Sequence, residues 1–164
     1  MDHAYIARGD GVCRMCGQWA RERWHVVVGC EVVGRLWDRL GAEVEVLGGG
    51  EVRGREMGLG LDGTGRGVAL RNRLGFTLRS AVLSMRALAV GGLEETVDLI
   101  WSVFVGRLRK ELVEELYVAR TSGGVALFER DVLVGGVLGE MRDGEVRWGP
   151  ILAEVGYRYW DLFG

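Results

Sequence analysis

Every cysteine of this chain lies within eighteen positions, and a histidine lies between them. The pattern is Cys-x2-Cys-x8-His-x4-Cys, formed by Cys13, Cys16, His25 and Cys30. One tight turn can present the first two ligands, and a helical turn or short loop can present the other two, to a single tetrahedral Zn²⁺. A disulfide would leave one odd cysteine and would explain neither the Cys13–Cys16 spacing nor the histidine. Three buried thiols beside a surface histidine are the simpler alternative.

We therefore predict a zinc site closed by Cys13, Cys16, His25 and Cys30. Four protein ligands leave no open position for a substrate, so the predicted metal is structural rather than catalytic. His3, ten residues before Cys13, is the alternative candidate for the histidine ligand.

Composition indicates a globular chain of ordinary size. The 164 residues are 48% hydrophobic, which is enough for a packed core. The apolar stretches are too short for a membrane span, and the N-terminal residues lack the pattern of a signal peptide. Clustered cysteines at metal-ligand spacing suit a reducing compartment, so we expect a cytoplasmic or nuclear protein that is not secreted.

Apolar periodicity predicts a mainly α fold. A short helix should contain Val32, Val33, Leu36, Trp37 and Leu40 and end at Gly41. A long helix is expected over residues 66–90, and Gly91-Gly92 should end it. Glu94-Glu95 should open a second long helix, whose predicted stripe is Val97, Ile100, Trp101, Phe104, Val105, Leu108, Leu112 and Leu116. The short connection favours an antiparallel hairpin of these two helices.

The C-terminal part gives weaker signals. Residues 125–138 fit either a helix or a strand, and Asp143-Gly144 predicts a β-hairpin turn. The expected organisation is a zinc module with its following helix (1–42), a Gly-rich linker (43–65) and a helical C-terminal domain (66–164).

Three motifs follow one another in a distinctive order. The segment Cys13-x-x-Cys16-Gly17-Gln18 leads through His25 and Cys30 to a helix with Trp37. Asn72-Arg73-Leu74-Gly75-Phe76-Thr77-Leu78-Arg79-Ser80-Ala81 follows a Gly-rich segment, and Arg107-Leu108-Arg109-Lys110-Glu111-Leu112 comes last. This order, over roughly residues 10–150, resembles the C-terminal region of the reverse-transcriptase polyprotein of non-LTR (LINE-type) retrotransposons.

The resemblance implies that the basic helix helps to hold RNA or DNA. The polymerase signature, an aromatic residue followed by x-Asp-Asp, is absent from the chain, and so is an acidic cluster suited to a nuclease metal site. We therefore expect a remnant of such a polyprotein, without polymerase, endonuclease or other enzymatic activity.

Two groups of residues are candidates for contact with nucleic acid. Trp19 with Arg14, Arg21 and Arg23 could stack an unpaired base and hold its phosphate, or the indole could instead pack around the zinc. The second group comprises Arg66, Arg71, Asn72, Arg73, Arg79 and Arg86. Its alternative is a solvated helix face that pairs with the glutamates of the neighbouring helix, namely Glu94, Glu95, Glu111, Glu114 and Glu115.

The sequence thus predicts a zinc-dependent module that binds RNA or single-stranded DNA weakly, because the net charge is −2 and the second long helix is acidic. The alternatives are a structural or protein-interaction domain and a vestigial product without a selected activity.

Overall fold

The fold is mainly helical, with one small antiparallel sheet. The computed structural model describes residues 11–20, 25, 29–46, 66–85, 93–134 and 136–153, and leaves out the side chains at 44–46 and 66. The helices are α1 (Glu31–Val46), α2 (Arg66–Met85), α3 (Leu93–Ser122), α4 (Val125–Asp131) and α5 (Pro150–Ala153). The strands are β1 (Gly139–Arg142) and β2 (Glu145–Trp148), which pair with each other. The predicted fold class is confirmed.

Helix α1 carries the apolar face that the sequence predicts. The five predicted core residues are all buried, namely Val32, Val33, Leu36, Trp37 and Leu40. The predicted end at Gly41 is wrong, because the helix continues to Val46. A glycine stops a helix when it adopts a left-handed conformation, and Gly41 has no positive φ. Inside a helix it costs only about 1 kcal/mol, which packing of the apolar face offsets.

Helices α2 and α3 pack as an antiparallel pair. Arg107 donates to Ser80, Thr77 donates to Glu111, and Arg73 pairs with Glu115. Successively earlier residues of α2 thus contact successively later residues of α3. The two helices run antiparallel, as the predicted hairpin requires. All eight predicted stripe residues of α3 are buried, and on α2 so are Leu74, Leu78, Val82 and Met85.

Helix α1 packs against the N-terminal half of α3. Arg39 bridges the two helices: it donates to Asp98 at 3.1 Å, and its guanidinium lies 4.4 Å from the centre of the Trp101 ring. Arg35 forms a further ion pair with Glu94. Both pairs are solvent-exposed, so the buried side chains beneath them supply most of the attachment. Buried residues from Cys13 to Leu152 form one core cluster.

The C-terminal segment begins with a helix, continues into a β-hairpin and ends, among the described residues, with the short helix α5. Residues 125–131 form α4, so the first part of the segment 125–138 is a helix and not a strand. The predicted turn is confirmed: Arg142 pairs with Glu145, and Asp143 and Gly144 have φ values of 54° and 80°. Two consecutive positive φ values make the two-residue turn whose twist matches the flanking strands.

Several predictions fall on residues outside this description. They concern most of the Gly-rich linker, the last residues of the first long helix, His3, Arg21, Arg23 and Arg86. Among the described helices, none combines the length and apolar character that a bilayer span requires.

The buried stripe of α3 yields a stability test. Leu108 is 0% exposed, so Leu108→Ala should lower the free energy of unfolding by about 2–4 kcal/mol, since it leaves a cavity between α2 and α3. Val113→Ala, on the exposed face of the same helix, should cost roughly 0.5 kcal/mol or less. Urea unfolding followed by far-ultraviolet circular dichroism measures both. Equal losses for the two variants would show that the stripe does not form the core.

Candidate metal centre

The first two cysteines lie in a tight hairpin over residues 11–20. Val12 and Trp19 form an isolated antiparallel bridge, and the Cys13 amide donates to the Gln18 carbonyl at 2.8 Å. Inside it, the Gly17 amide donates to the Cys13 carbonyl at 2.9 Å, and Gly17 has a φ of 71°. Glycine adopts this left-handed conformation without strain, so the Cys-x-x-Cys-Gly sequence closes the turn. The turn brings Cys13 and Cys16 together.

The last cysteine marks the start of α1. The Gly34 amide donates to the Cys30 carbonyl at 2.8 Å as the first bond of the helix, and the Val33 amide donates to the Cys30 sulfur. Cys30 is therefore the N-cap residue of α1, with its sulfur at the positive end of the helix dipole. The Cys30 amide in turn donates to the His25 carbonyl at 2.6 Å, which ties the histidine to the beginning of the helix.

The four side chains converge on one point. Their ligand atoms, three sulfurs and one imidazole nitrogen, all lie within 4.8 Å of one another. Cys13 Sγ lies 4.0 Å from Cys30 Sγ, and Cys16 Sγ lies 3.3 Å from His25 Nε2. For tetrahedral zinc the corresponding edges are about 3.8 Å between two thiolates and about 3.6 Å between thiolate and imidazole. This Cys3His group can therefore hold a metal ion through Nε2 and three sulfurs.

The electrostatics of the pair Cys13 and Cys30 also suit a cation. Both residues are buried. A hydrogen bond from the Cys30 thiol lowers the pKa of Cys13 to about 4 against the opposing effect of burial, and the amides of Cys16 and Met15 contribute. The same shared proton, together with burial, raises the pKa of Cys30. A metal ion bound to these sulfurs would displace their thiol protons.

The hairpin presents Trp19 to solvent. The side chain is 67% exposed, so it does not belong to a small core around the metal ligands. A Cβ added at Gly11 would lie 2.9 Å from Cζ3 of Trp19, so the indole lies directly against the backbone of Gly11. Arg14, between the two cysteines of the turn, is exposed as well. The metal-ligand hairpin therefore carries an exposed indole and an exposed guanidinium.

The predicted basic residues on α2 have different surroundings. Arg73 is half-buried and pairs with Glu115 of α3, as the structural alternative for this helix anticipates. Burial lowers the pKa of Arg73, although the Glu111 carboxylate opposes this shift. Arg79 lies over the ring of Phe76, with its guanidinium carbon 5.0 Å from the ring centre. Arg71 and Asn72 are half-buried.

Phe76 is a surface feature that our sequence analysis did not single out. It is 54% exposed although it belongs to the helix that supplies much of the core. Helical spacing could have predicted this exposure, since Leu74, Leu78 and Met85 define the buried face and position 76 falls outside it.

Comparisons with protein-family models, with curated proteins and with solved structures find no match to this chain. The centre is therefore interpreted from its own ligands and geometry.

Loss of one ligand should open the metal centre. Cys16→Ser should reduce bound metal to well below one ion per chain, because three ligands admit water and weaken a closed tetrahedral site. Arg14→Ser, two positions away and exposed, should keep the ion and serves as the matched control. Native mass spectrometry of both variants measures the metal content. A wild-type chain without metal, or a Cys16→Ser variant with full occupancy, would contradict the assignment.

Proposed function

We propose that this chain is a zinc-dependent module that binds RNA or single-stranded DNA. Zinc would fix the hairpin of residues 11–20 to the start of α1, and the hairpin would present Trp19 and Arg14 to the nucleic acid. The observation that carries the proposal is the 67% exposure of Trp19 on the same short hairpin that supplies two of the four ligands. The proposed role is binding, without catalysis.

Zinc is the metal that this donor set suits best. Three thiolates and one imidazole favour zinc over the hard cations, which prefer oxygen ligands. With four protein ligands the ion has no position for a reacting water, so it would act on folding. Structural zinc can supply on the order of 10 kcal/mol at neutral pH. That amount is sufficient to hold a ten-residue hairpin with few buried apolar side chains.

An exposed indole beside a guanidinium favours unpaired bases. A base in a single strand can stack on the flat ring, whereas a base within a duplex is already stacked and inaccessible. The close contact between Trp19 and Gly11 restricts the ring, so less conformational entropy is lost when a base stacks on it. Arg14 can hold the neighbouring phosphate.

The resemblance in motif order supports an origin for such a module. Over residues 10–150 the motif order of this chain resembles that of the C-terminal region of a LINE-type reverse-transcriptase polyprotein. The chain lacks the polymerase signature. We propose that the chain derives from the C-terminal region of such a polyprotein.

A second candidate is a structural or protein-interaction domain. It is favoured by a groove of about 550 Å³ between α3 and α4, whose lining includes Val118, Leu127 and Phe128. Val118 and Leu127 are exposed. On this reading zinc would only stabilise the N-terminal end of the fold, and no nucleic acid would bind.

Binding to single strands tests the proposed function. The zinc-loaded chain should bind a single-stranded RNA more tightly than the matching duplex, and chelation should abolish the difference. Trp19→Ala should weaken single-strand binding by about fivefold or more, because the stacking surface is lost. Tyr117→Ala removes an equally exposed aromatic ring from the acidic helix α3 and should have no effect. Fluorescence anisotropy with a labelled strand measures all three proteins.

Salt dependence tests the phosphate contact separately. Arg14→Ala should reduce the slope of log K against log salt by about one unit. Arg73→Gln should change it less, since Arg73 already pairs with Glu115. Absence of binding by the wild type at low salt would favour the structural or interaction domain, or a vestigial product.

A further inference from the structure

The outward face of α2 carries an aromatic ring with an arginine stacked on it. Phe76 and Leu83 are exposed and lie seven residues apart, which places them on the same side of the helix. Arg79 lies between them along the chain and covers one face of the Phe76 ring at 5.0 Å. The opposite side of the helix, with Leu74 and Leu78, is buried against α3.

Core packing does not explain why this ring faces solvent. The buried side of α2 is complete without Phe76, and an exposed phenyl ring leaves apolar surface in contact with water. A single exposed apolar residue is ordinary on a protein surface. Its combination with a stacked guanidinium gives this position two flat surfaces and one positive charge.

The charge of α2 determines which ligand these surfaces suit. No Asp or Glu occurs from Arg66 to Met85, whereas α3 carries Glu111, Glu114 and Glu115. Tyr117, 70% exposed on α3, is an aromatic residue in the opposite, acidic setting. An acidic peptide would complement the positive charge of α2 but would bring no flat π surface to the ring. A single-stranded nucleic acid brings both an anionic backbone and planar bases.

We infer that Phe76 and Arg79 form a second stacking site for an unpaired base, separate from the hairpin of residues 11–20. This inference rests on the proposed function and adds a residue outside the metal module. An unpaired base stacks on the exposed face of the phenyl ring, and the positive charge of Arg79 beside the ring attracts the adjacent phosphate.

Variants at position 76 separate stacking from simple apolar contact. Phe76→Leu keeps an apolar side chain and removes the π surface, whereas Phe76→Trp keeps a π surface. In the zinc-loaded chain, Phe76→Leu should weaken binding of a labelled oligothymidylate of about 20 nucleotides by about fivefold or more, and Phe76→Trp should restore it. Tyr117→Ala is the matched control and should bind as the wild type does. Thermal unfolding of each variant verifies that the fold is retained.

An abasic strand of the same length and charge is the second probe. It offers phosphates without bases, so wild type and Phe76→Leu should bind it equally. Equal binding of oligothymidylate by wild type and Phe76→Leu would overturn the inference. A variant that loses as much affinity for the abasic strand as for oligothymidylate would also overturn it.

The outcomes distinguish this inference from the proposed function. If Trp19→Ala loses binding and Phe76→Leu does not, the hairpin binds nucleic acid and the second site does not exist. If Phe76→Leu alone loses binding, the second site stands and the role proposed for Trp19 fails. If the wild type binds none of the strands, both fail.

Discussion

The N-terminal part of the structure depends on Cys30, which belongs to the metal centre and to the helical core at once. Its sulfur is one of four converging ligand atoms, and its carbonyl accepts the first hydrogen bond of α1. The next residues, Val32 and Val33, are already buried in the core. An ion bound at this centre would therefore be held at the N-terminus of a helix that packs on α3. The 11–20 hairpin supplies two of the four ligand side chains, whereas α1 is attached to α3 through its own apolar face.

The helices could be predicted largely from apolar periodicity, because burial on one face repeats with the period of the helix. All eight predicted stripe residues of α3 are buried, and the Asp143-Gly144 turn lies where its sequence places it. The end of α1 could not be predicted from Gly41, because glycine ends a helix only where it adopts the left-handed conformation. Leu83 is exposed although its neighbours Val82 and Met85 are buried, because they lie on the side of α2 that meets α3.

The metal centre was accessible from sequence because Cys-x-x-Cys and His-x4-Cys spacings restrict where four ligands can lie. The surroundings of the candidate nucleic-acid residues could not be predicted from the sequence. Arg73 and Arg79 are six residues apart on one helix, yet Arg73 meets Glu115 and Arg79 meets Phe76. The contact of Arg73 with Glu115 depends on the register between α2 and α3, and register is a tertiary property. Trp19 lies against Gly11 across the hairpin and is exposed. Neither this exposure nor the register of α2 on α3 can be read from residue spacing.

X-ray absorption at the zinc edge of the purified protein tests the central claim most directly. If Cys13, Cys16, His25 and Cys30 hold one structural zinc ion, the spectrum should show three sulfur neighbours at about 2.3 Å and one nitrogen neighbour at about 2.0–2.1 Å. This coordination would mean that the ion joins the hairpin to the start of α1. A shell that contains oxygen, or fewer than three sulfurs, would contradict the closed Cys3His site.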